Sequence, residues 1–257
     1  MNTTVDRPSW AQPLTDLTGK TVLVIGGAGG VGEGVTRGLL AAGAHVIATA
    51  RSETKLDEFA ARLSSERLST LRLDLAEPGL DAALAKAAAE HGGLDGAVVS
   101  VGDWGPQGRR DLVDLKDDEW AYLIENNLTS VFRALRGLVP VLAPGGALVH
   151  VNGGSAEIAW PGHAVLAMSA AAGKSLTRSL AVETRKSGVR VHDLILGVIS
   201  TRPKRAAGMD HPAWIPAEEV GVHVAELLAG SSPLTGSVVQ YFTSRQQGPT
   251  TTVPDLG

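Results

Sequence analysis

The chain contains no cysteine, few aromatic residues and no long hydrophobic run. Without cysteine among its 257 residues it can form neither a disulfide framework nor a catalytic thiolate. No segment approaches the roughly 20 apolar residues that span a bilayer, and the opening MNTTVDRPSWAQPLTDLTG lacks the apolar core of a signal peptide. A formal net charge of −4 gives no electrostatic support for binding nucleic acid or an anionic membrane. These absences predict a cytoplasmic protein.

Small and aliphatic residues, and not aromatic ones, make up most of the apolar part of the sequence. The sequence has 31 glycines and only 4% aromatic residues, a balance typical of α/β proteins in which helices pack closely on a sheet. The length suits one domain. We expect an N-terminal tail over 1–17, one α/β domain over 18–244 and a C-terminal tail over 245–257, because both ends are polar and rich in Pro and Thr.

Short apolar runs alternate with helical patterns along the domain. The candidate strands are 21–26, 44–50, 69–75, 94–101, 146–152, 189–196 and 236–242, and the candidate helices are 30–43, 53–64, 79–91, 117–139, 164–187 and 216–229. Runs that are apolar throughout are typical of parallel strands covered on both faces. The order predicts a doubly wound, Rossmann-type parallel sheet of about seven strands flanked by helices. Ligands of such sheets bind beyond the carboxyl ends of the strands.

A glycine-rich loop follows the first strand and leads into the first helix. Gly27, Gly29 and Gly32 fit the spacing G-x-G-x-x-G, whereas Gly26, Gly30 and Gly32 fit G-x-x-x-G-x-G. Glycines permit the tight turn and allow the backbone to approach a pyrophosphate at the helix N-terminus. A tight turn between strand and helix could use the same residues. The position of the loop favours dinucleotide binding.

The second spacing resembles that of the short-chain dehydrogenase/reductase family, and the resemblance extends from about Leu17 to Phe242. It includes Asp74-Leu75 after the third strand, Asn127 in ENNLT, the segment 176–183 and the loop 197–201. The family fold holds a nicotinamide dinucleotide. The resemblance therefore implies a set of cofactor-binding residues, namely Gly26, Gly29, Gly30, Val31, Gly32, Arg51, Ser52, Asp74, Leu75, Val101, Gly102, Ile199 and Thr201.

The end of the second strand bears on the choice of cofactor. A site that prefers NAD places a carboxylate there for the ribose 2′-hydroxyl, but this sequence has Ala50 followed by Arg51 and Ser52. Arg51 could pair with a 2′-phosphate through two hydrogen bonds, and Ser52 could add a donor. Alternatively, Arg51 is an exposed loop residue near acids such as Glu53. We expect NADP(H).

The same resemblance assigns the family's catalytic positions to residues with no acid–base chemistry. The family uses a Tyr, a Lys four residues later and a Ser thirteen residues before the Tyr. With the alignment anchored on 176–183, these positions fall on Leu166, Ala170 and Gly153. Asn127 corresponds to the remaining catalytic residue. Hydride delivery to a ketone builds alkoxide charge that needs a donor, so we do not expect an ordinary alcohol dehydrogenase.

Other side chains could serve the missing roles. His163 lies at the offset from residue 170 where enoyl reductases of the superfamily place their Tyr, and imidazole suits proton transfer near neutrality; it could equally be a loop residue at a helix start. Lys174 is expected to point past the ribose.

The expected substrate pocket comprises Asp103, Trp104, Ser155, Glu157 and Leu166. His150 and His192 lie in strand patterns and should be packed, hydrogen-bonded residues, and no clustered ligands indicate a metal.

Three functions remain open from the sequence. The first is an NADPH-dependent oxidoreductase that acts on a conjugated C=C bond, an iminium or a quinone-like small molecule without the Tyr/Lys pair. The second is a non-redox cyclase, isomerase or lyase in the same pocket. The third is a non-catalytic NADP(H)-binding regulatory protein. The family resemblance also implies a homodimer or homotetramer through the helices near 117–139 and 164–187.

Overall fold

The computed structural model describes residues 5–254 and consists of alternating strands and helices. In chain order these are β1 (Thr21–Ile25), α1 (Gly30–Ala41), β2 (His45–Ala50), α2 (Glu53–Leu63), β3 (Leu68–Arg72), α3 (Leu80–Glu90), β4 (Leu94–Val99), α4 (Asp117–Ile124), α5 (Ser130–Leu138), β5 (Leu142–Gly153), α6 (Ala164–Glu183), β6 (Arg190–Leu196), β7 (Ile199–Ser200), α7 (Arg202–Ala206), β8 (Ile215–Pro216), α8 (Ala217–Ala229) and β9 (Val239–Phe242).

The central sheet has seven parallel strands in the order β3-β2-β1-β4-β5-β6-β9. The predicted Rossmann-type fold is therefore confirmed, and each strand candidate coincides with a strand of the sheet. The chain reverses its direction of winding between β1 and β4, which pair through Val24 and Val98. Such a switch point opens a crevice at the carboxyl edge of a doubly wound sheet.

Two hydrophobic cores explain why the strands are apolar at every position. Val22 and Val24 of β1 belong to the core under α1 and α8, whereas Leu23 and Ile25 belong to the core under α3 and α5. Successive side chains of a strand point to opposite faces. A strand covered on both faces must therefore be apolar throughout.

Helices α1 and α8 touch at their backbones. A Cβ atom added to Gly34 would lie 2.2 Å from the carbonyl carbon of Ala217, and one added to Gly38 would lie 2.3 Å from that of Gly221. Side chains at these positions would separate the helices. The helix that follows the glycine-rich loop is therefore positioned by a helix near the other end of the chain.

Three features of the fold were not predicted. A two-stranded pair of β7 and β8 and the short helix α7 lie between Ile199 and Pro216. The helix expected over 117–139 is interrupted by a π-helical turn at Glu125–Thr129. π turns inside helices often occur at functional sites, and this one contains Asn127.

The segments predicted as tails contact the domain wherever the structure describes them. The centre of the Trp10 ring lies 5.2 Å from that of the Phe242 ring. The backbone N–H of Gln12 donates to the Glu226 carboxylate at 2.7 Å. At the other end, Thr250 pairs with Tyr241 through backbone hydrogen bonds. Residues 1–4 and 255–257 of the predicted tails lie outside the described residues. No helix within 5–254 combines the length and apolarity needed to cross a membrane.

Candidate cofactor and substrate site

The glycine-rich loop packs closely against backbone atoms, both its own and those of the segment after β4. Gly26 has φ +77°, and a Cβ atom there would lie 2.2 Å from the Ser100 carbonyl oxygen. A Cβ atom on Gly32 would lie 2.1 Å from the Gly26 carbonyl oxygen. Both positions exclude any side chain. The loop delivers the chain to the N-terminus of α1 at Gly30, where unpaired amides can hold a pyrophosphate.

The loop after β7 lies against the glycine-rich loop, and the two loops together form what we call the cradle. A Cβ atom on Gly30 would lie 3.2 Å from the Thr201 methyl group, so the loop after β7 meets the glycine-rich loop. Ile199 lies in β7, paired with Ile215. The Thr201 hydroxyl accepts from the Lys204 amide at 3.5 Å, at the start of α7. The two predicted cofactor segments are thus brought together.

A buried carboxylate in the first turn of α1 gathers three arginines. The Glu33 side chain accepts hydrogen bonds from Arg37 at 3.2 Å, Arg62 at 2.9 Å and Arg202 at 3.0 Å. Burial acts to raise its pKa, but the hydrogen bonds from Arg62 and Arg202 outweigh that effect and hold the pKa below its ordinary value. Three cations around one anion favour a polyanion near the start of α1. Sequence analysis did not identify this cluster, because its members are far apart in the chain.

Arg51 extends from the end of β2 across the carboxyl edge of the sheet. Its guanidinium lies 3.3 Å from the Asn126 amide oxygen and 3.5 Å from the Asp103 carboxylate, which also accepts from the Tyr122 hydroxyl at 2.9 Å. The side chain remains 62% exposed. Its partner is therefore Asp103 and not the neighbouring Glu53. The Ser52 hydroxyl caps α2 by accepting from the Lys55 amide.

Four more of the predicted cofactor residues lie in the segments that follow β3 and β4. The Asp74 carboxylate accepts from the Ala76 amide at 2.9 Å, in the turn after β3, and the Leu75 side chain is buried in the core. Val101 packs against the same core. A Cβ atom added to Gly102 would lie 3.8 Å from the Asn127 amide oxygen.

Asn127 holds the segment that follows β4. Its amide oxygen accepts from the Asp103 amide at 2.9 Å, and its amide nitrogen donates to the carbonyl oxygens of Asp103 at 2.8 Å and Leu123 at 2.9 Å. Both amide donors are therefore used within the protein. The geometry makes Asn127 a positioning residue for the loop that begins at Asp103.

Trp104, His163 and Leu166 are brought together in the structure. They line one narrow crevice together with Leu112, Leu115, Leu123 and Val165, among other residues. The His163 ring is buried, and its Nδ1 lies 2.8 Å from the Pro161 carbonyl oxygen. A carbonyl oxygen can only accept, so Nδ1 carries a proton and Nε2 is the ring atom left for other partners. Three other predicted pocket residues, Asp103, Ser155 and Glu157, do not line this crevice.

Ser155 lies beside the position that the family's serine would occupy. A Cβ atom added to Gly153, at the end of β5, would lie 3.5 Å from the Ser155 hydroxyl oxygen. That hydroxyl makes no hydrogen bond to another residue within 5–254. It is an available donor at the carboxyl edge of the sheet.

Lys174 and Tyr241 are both bound to Glu157. The Lys174 ammonium lies 2.6 Å from one Glu157 carboxylate oxygen, and the Tyr241 hydroxyl donates to the same oxygen at 3.1 Å. Burial, together with that hydrogen bond, raises the pKa of Tyr241 to about 12. A tyrosine that acts as an acid–base catalyst needs the opposite shift. This Tyr and Lys therefore do not replace the family's pair.

Behind α6 lies a buried polar network. His150 Nδ1 lies 2.7 Å from the Asp193 carboxylate. The Asn152 amide donates to Asp193 at 3.3 Å and to the Ala170 carbonyl oxygen at 2.9 Å. As expected, His150 is a packed, hydrogen-bonded residue, and so is His192, whose Nδ1 lies 3.0 Å from the Ser237 carbonyl oxygen. Within the described part of the chain no three His, Cys, Asp or Glu side chains are grouped as metal ligands.

Comparison with known proteins identifies the family. A family model described as enoyl-(acyl carrier protein) reductase matches residues 26–223. The chain is 31% identical to the 3-oxoacyl-[acyl-carrier-protein] reductase FabG of Salmonella typhimurium over 205 residues, which covers 78% of this chain and 82% of the relative. It is 28% identical to the 2,5-dichloro-2,5-cyclohexadiene-1,4-diol dehydrogenase of Sphingobium indicum over 214 residues, 82% of this chain and 84% of the relative.

Solved structures agree with this assignment. A mutant short-chain dehydrogenase/reductase of Serratia marcescens superposes with a TM-score of 0.76 at 23% identity, over 89% of this chain and 98% of the other. A short-chain dehydrogenase/reductase of Brucella melitensis gives 0.74 at 25% identity, over 88% and 94%. The chain therefore belongs to the short-chain dehydrogenase/reductase family of oxidoreductases.

Proposed function

We propose that this protein is an NADPH-dependent oxidoreductase that works without the family's Tyr/Lys acid–base pair. Its substrate would be a small molecule with a conjugated C=C bond, an iminium or a quinone-like group. What carries the proposal is α6, where the alignment anchored on 176–183 assigns Leu166 and Ala170 to the positions of the family's Tyr and Lys. Its one lysine, Lys174, is bound by Glu157.

The preserved cofactor cradle supports a redox role. Gly26 and Gly32 have no room for side chains, α1 points its N-terminus at the loop, and the Glu33 cluster adds positive charge. NADPH bound there would supply a hydride. Arg51 would pair with the 2′-phosphate, since its exposed guanidinium is held, among the described residues, only by Asn126 and Asp103 at 3.3 and 3.5 Å.

Two side chains could assist the substrate directly. The Ser155 hydroxyl could donate to a developing oxyanion, because it lies next to the position of the family's serine. His163, when its imidazole is doubly protonated, could deliver a proton from Nε2 at the mouth of the crevice beside Leu166. Neither replaces the full effect of a general acid, which is typically worth 10²–10⁴ in rate. Substrates whose adduct is stabilised by conjugation are therefore favoured over simple ketones.

Apolar side chains on three helices support a cytosolic homo-oligomer, either a dimer or a tetramer. Trp120 and Tyr122 on α4, Phe132 on α5, and Met168 and Val182 on α6 are exposed in the single chain. Exposed apolar groups of this kind mark association surfaces. Light scattering should give a mass of two or four chains. A monomer at micromolar concentration would contradict the assignment.

A matched pair of substrates tests the proposed activity. Purified protein with NADPH should reduce 2-cyclohexenone at least tenfold faster than cyclohexanone, because only the first adduct is stabilised as a conjugated enolate. Oxidation of NADPH is followed by absorbance, and the product by chromatography. Ser155→Ala and His163→Gln should each slow the reaction, whereas Ser65→Ala, in the loop between α2 and β3 away from the site, should not.

Two outcomes would overturn the proposal. Rapid reduction of cyclohexanone would mean that another acid fills the gap left by Leu166. Tight NADPH binding without oxidation by 2-cyclohexenone, an iminium or 1,4-naphthoquinone would instead favour the non-redox enzyme or the regulatory protein.

A further inference from the structure

Two exposed indole rings flank the buried His163 at the carboxyl edge of the sheet. The Trp104 ring centre lies 4.8 Å from that of His163 with an interplanar angle of 81°, and the Trp160 ring centre lies 5.6 Å away at 64°. Trp104 is 47% exposed and Trp160 is 41% exposed, whereas His163 is 6% exposed. Tryptophan is usually well buried. The two loops after β4 and β5 thus present aromatic faces to solvent next to the proposed site of reaction.

The crevice between Trp104 and Leu166 is too small to hold a substrate. It is lined by leucine and valine side chains, including Leu166, and its volume is about 10 Å³. That space suits no more than a water molecule. A ligand that approaches Leu166 must therefore lie at the mouth of this crevice, beside Trp104.

Arg109 adds a positive charge to this surface. Its guanidinium lies 5.7 Å from the centre of the Trp104 ring. Gly162, with φ +73°, brings the loop after β5 against Arg109. A Cβ atom added to Gly162 would lie 3.1 Å from the Arg109 Cβ. Arg109 makes no hydrogen bond or ion pair with any residue in the described range.

Two neighbouring charges are already paired. Asp103 is bound by Arg51 and Tyr122, and Arg110 is bound by Glu119 at 2.9 Å. The charge of Arg109 is therefore left for a ligand. A planar guanidinium over an aromatic face can pair with a carboxylate while the ligand's ring stacks on the indoles.

We infer that Trp104, Trp160 and Arg109 form a subsite for a planar, conjugated carboxylate. The subsite deepens the proposed function and rests on it, because it would orient such a substrate beside Leu166. A neutral analogue would lose the pairing with Arg109. A saturated ring would lose the stacking on the indoles.

Calorimetry with three probes tests this subsite, with and without NADP⁺. Wild-type protein should bind 2-naphthoate about tenfold tighter than 2-naphthamide or cyclohexanecarboxylate. Arg109→Gln should weaken 2-naphthoate about tenfold and leave 2-naphthamide unchanged, and Arg109→Lys should keep part of the preference for the acid. Trp104→Leu should weaken both naphthyl probes.

Arg136 supplies a matched control. Its guanidinium also lies over an exposed ring, 5.4 Å from the centre of Phe132, but it is paired with Asp81. Arg136→Gln should therefore leave naphthoate binding unchanged, and melting temperatures should show that all variants fold. Equal binding of 2-naphthoate and 2-naphthamide by the wild type, or unchanged naphthoate binding by Arg109→Gln, would overturn the inference.

The subsite and the proposed function can fail separately. Naphthoate binding that depends on Arg109, in a protein that does not oxidise NADPH, would leave the subsite standing and remove the redox role. Reduction of 2-cyclohexenone without any preference for 2-naphthoate would remove the subsite alone.

Discussion

The two halves of the carboxyl edge are built on different principles. The cofactor half, at β1, β2 and β4, depends on backbone contacts, because Gly26 and Gly32 leave no space for a Cβ atom. The substrate half, at β5, β6 and α6, depends on side chains carried by a helix. There the family resemblance assigns the catalytic positions to Gly153, Leu166 and Ala170.

The difference predicts that the loop of the cofactor half tolerates less change than the helix of the substrate half. A change at Gly32 disturbs the loop itself, whereas a change at position 166 or 170 leaves α6 in place. The helix is anchored from behind, where Asn152 donates to the Ala170 carbonyl oxygen and to Asp193. The residues that face the cleft are therefore free to change without loss of the fold.

The largest expected effect is a loss of stability when Asp193, in the buried network behind the substrate half, is substituted. Asp193→Ala leaves His150 and Asn152 buried without their acceptor, and should cost about 3–5 kcal/mol in the free energy of unfolding. NADPH affinity of the folded protein should change less than about twofold, since Asp193 lies away from the cradle. Urea unfolding and calorimetry measure the two quantities.

The exposed Asp81 is the control for this change. Its weak ion pair with Arg136, at 3.6 Å, should make Asp81→Ala cost less than about 1 kcal/mol. A loss of equal size in the two variants would mean that the buried network does not hold the substrate half.

The second prediction tests the backbone contacts of the cofactor half. Gly32→Ala places a methyl group 2.1 Å from the Gly26 carbonyl oxygen, so the loop must open. NADPH should bind at least about a hundredfold more weakly, or roughly 3 kcal/mol. Gly236→Ala is the control, because an added Cβ atom there meets nothing within 4 Å. Unchanged NADPH binding by Gly32→Ala would refute the contact as the cause.

The sequence was enough to predict the sheet and the cradle but not the partners of the side chains. Seven apolar runs and a glycine spacing are local patterns, and local patterns determine strands and loops. The pairing of Arg51 with Asp103, and of Lys174 with Glu157 and Tyr241, depends on residues that are distant in the chain. The π turn at Asn127 and the β7–β8 pair leave no periodic signal in such short segments.

The third prediction concerns pH and again addresses the substrate half. Burial, with Arg190 and His223 nearby, lowers the pKa of His192 to about 4 despite its hydrogen bond to the Ser237 carbonyl oxygen. The unfolded chain takes up this proton near pH 6.5. Its contribution to stability is therefore complete above that pH and is lost as the pH falls from about 6.5 to 4.

His192→Asn keeps a donor for Ser237 and removes the titration. The wild type should lose about 2 kcal/mol more than this variant between pH 7 and pH 5. Urea unfolding at several pH values measures the difference. Parallel stability curves for the two proteins would show that His192 does not titrate as described.

The smallest expected effect is at the surface of the cofactor half. Arg51→Ala should weaken NADPH about tenfold and NADH less than twofold, because an exposed ion pair contributes only about 1–2 kcal/mol. Arg67→Ala, at the opposite edge of the sheet, is the control. Equally tight binding of NADH and NADPH by the wild type would refute the role of Arg51.

The contact between α1 and α8 has a consequence for how the protein is made. The glycine-rich loop and α1 leave the ribosome early, but the surface on which α1 docks through Gly34 and Gly38 is translated only with Ala217–Ala229. A nascent chain therefore carries the complete glycine motif before the surface that positions α1 has been made. A chain stopped before residue 217 would keep every glycine of the motif but lack the helix against which α1 packs.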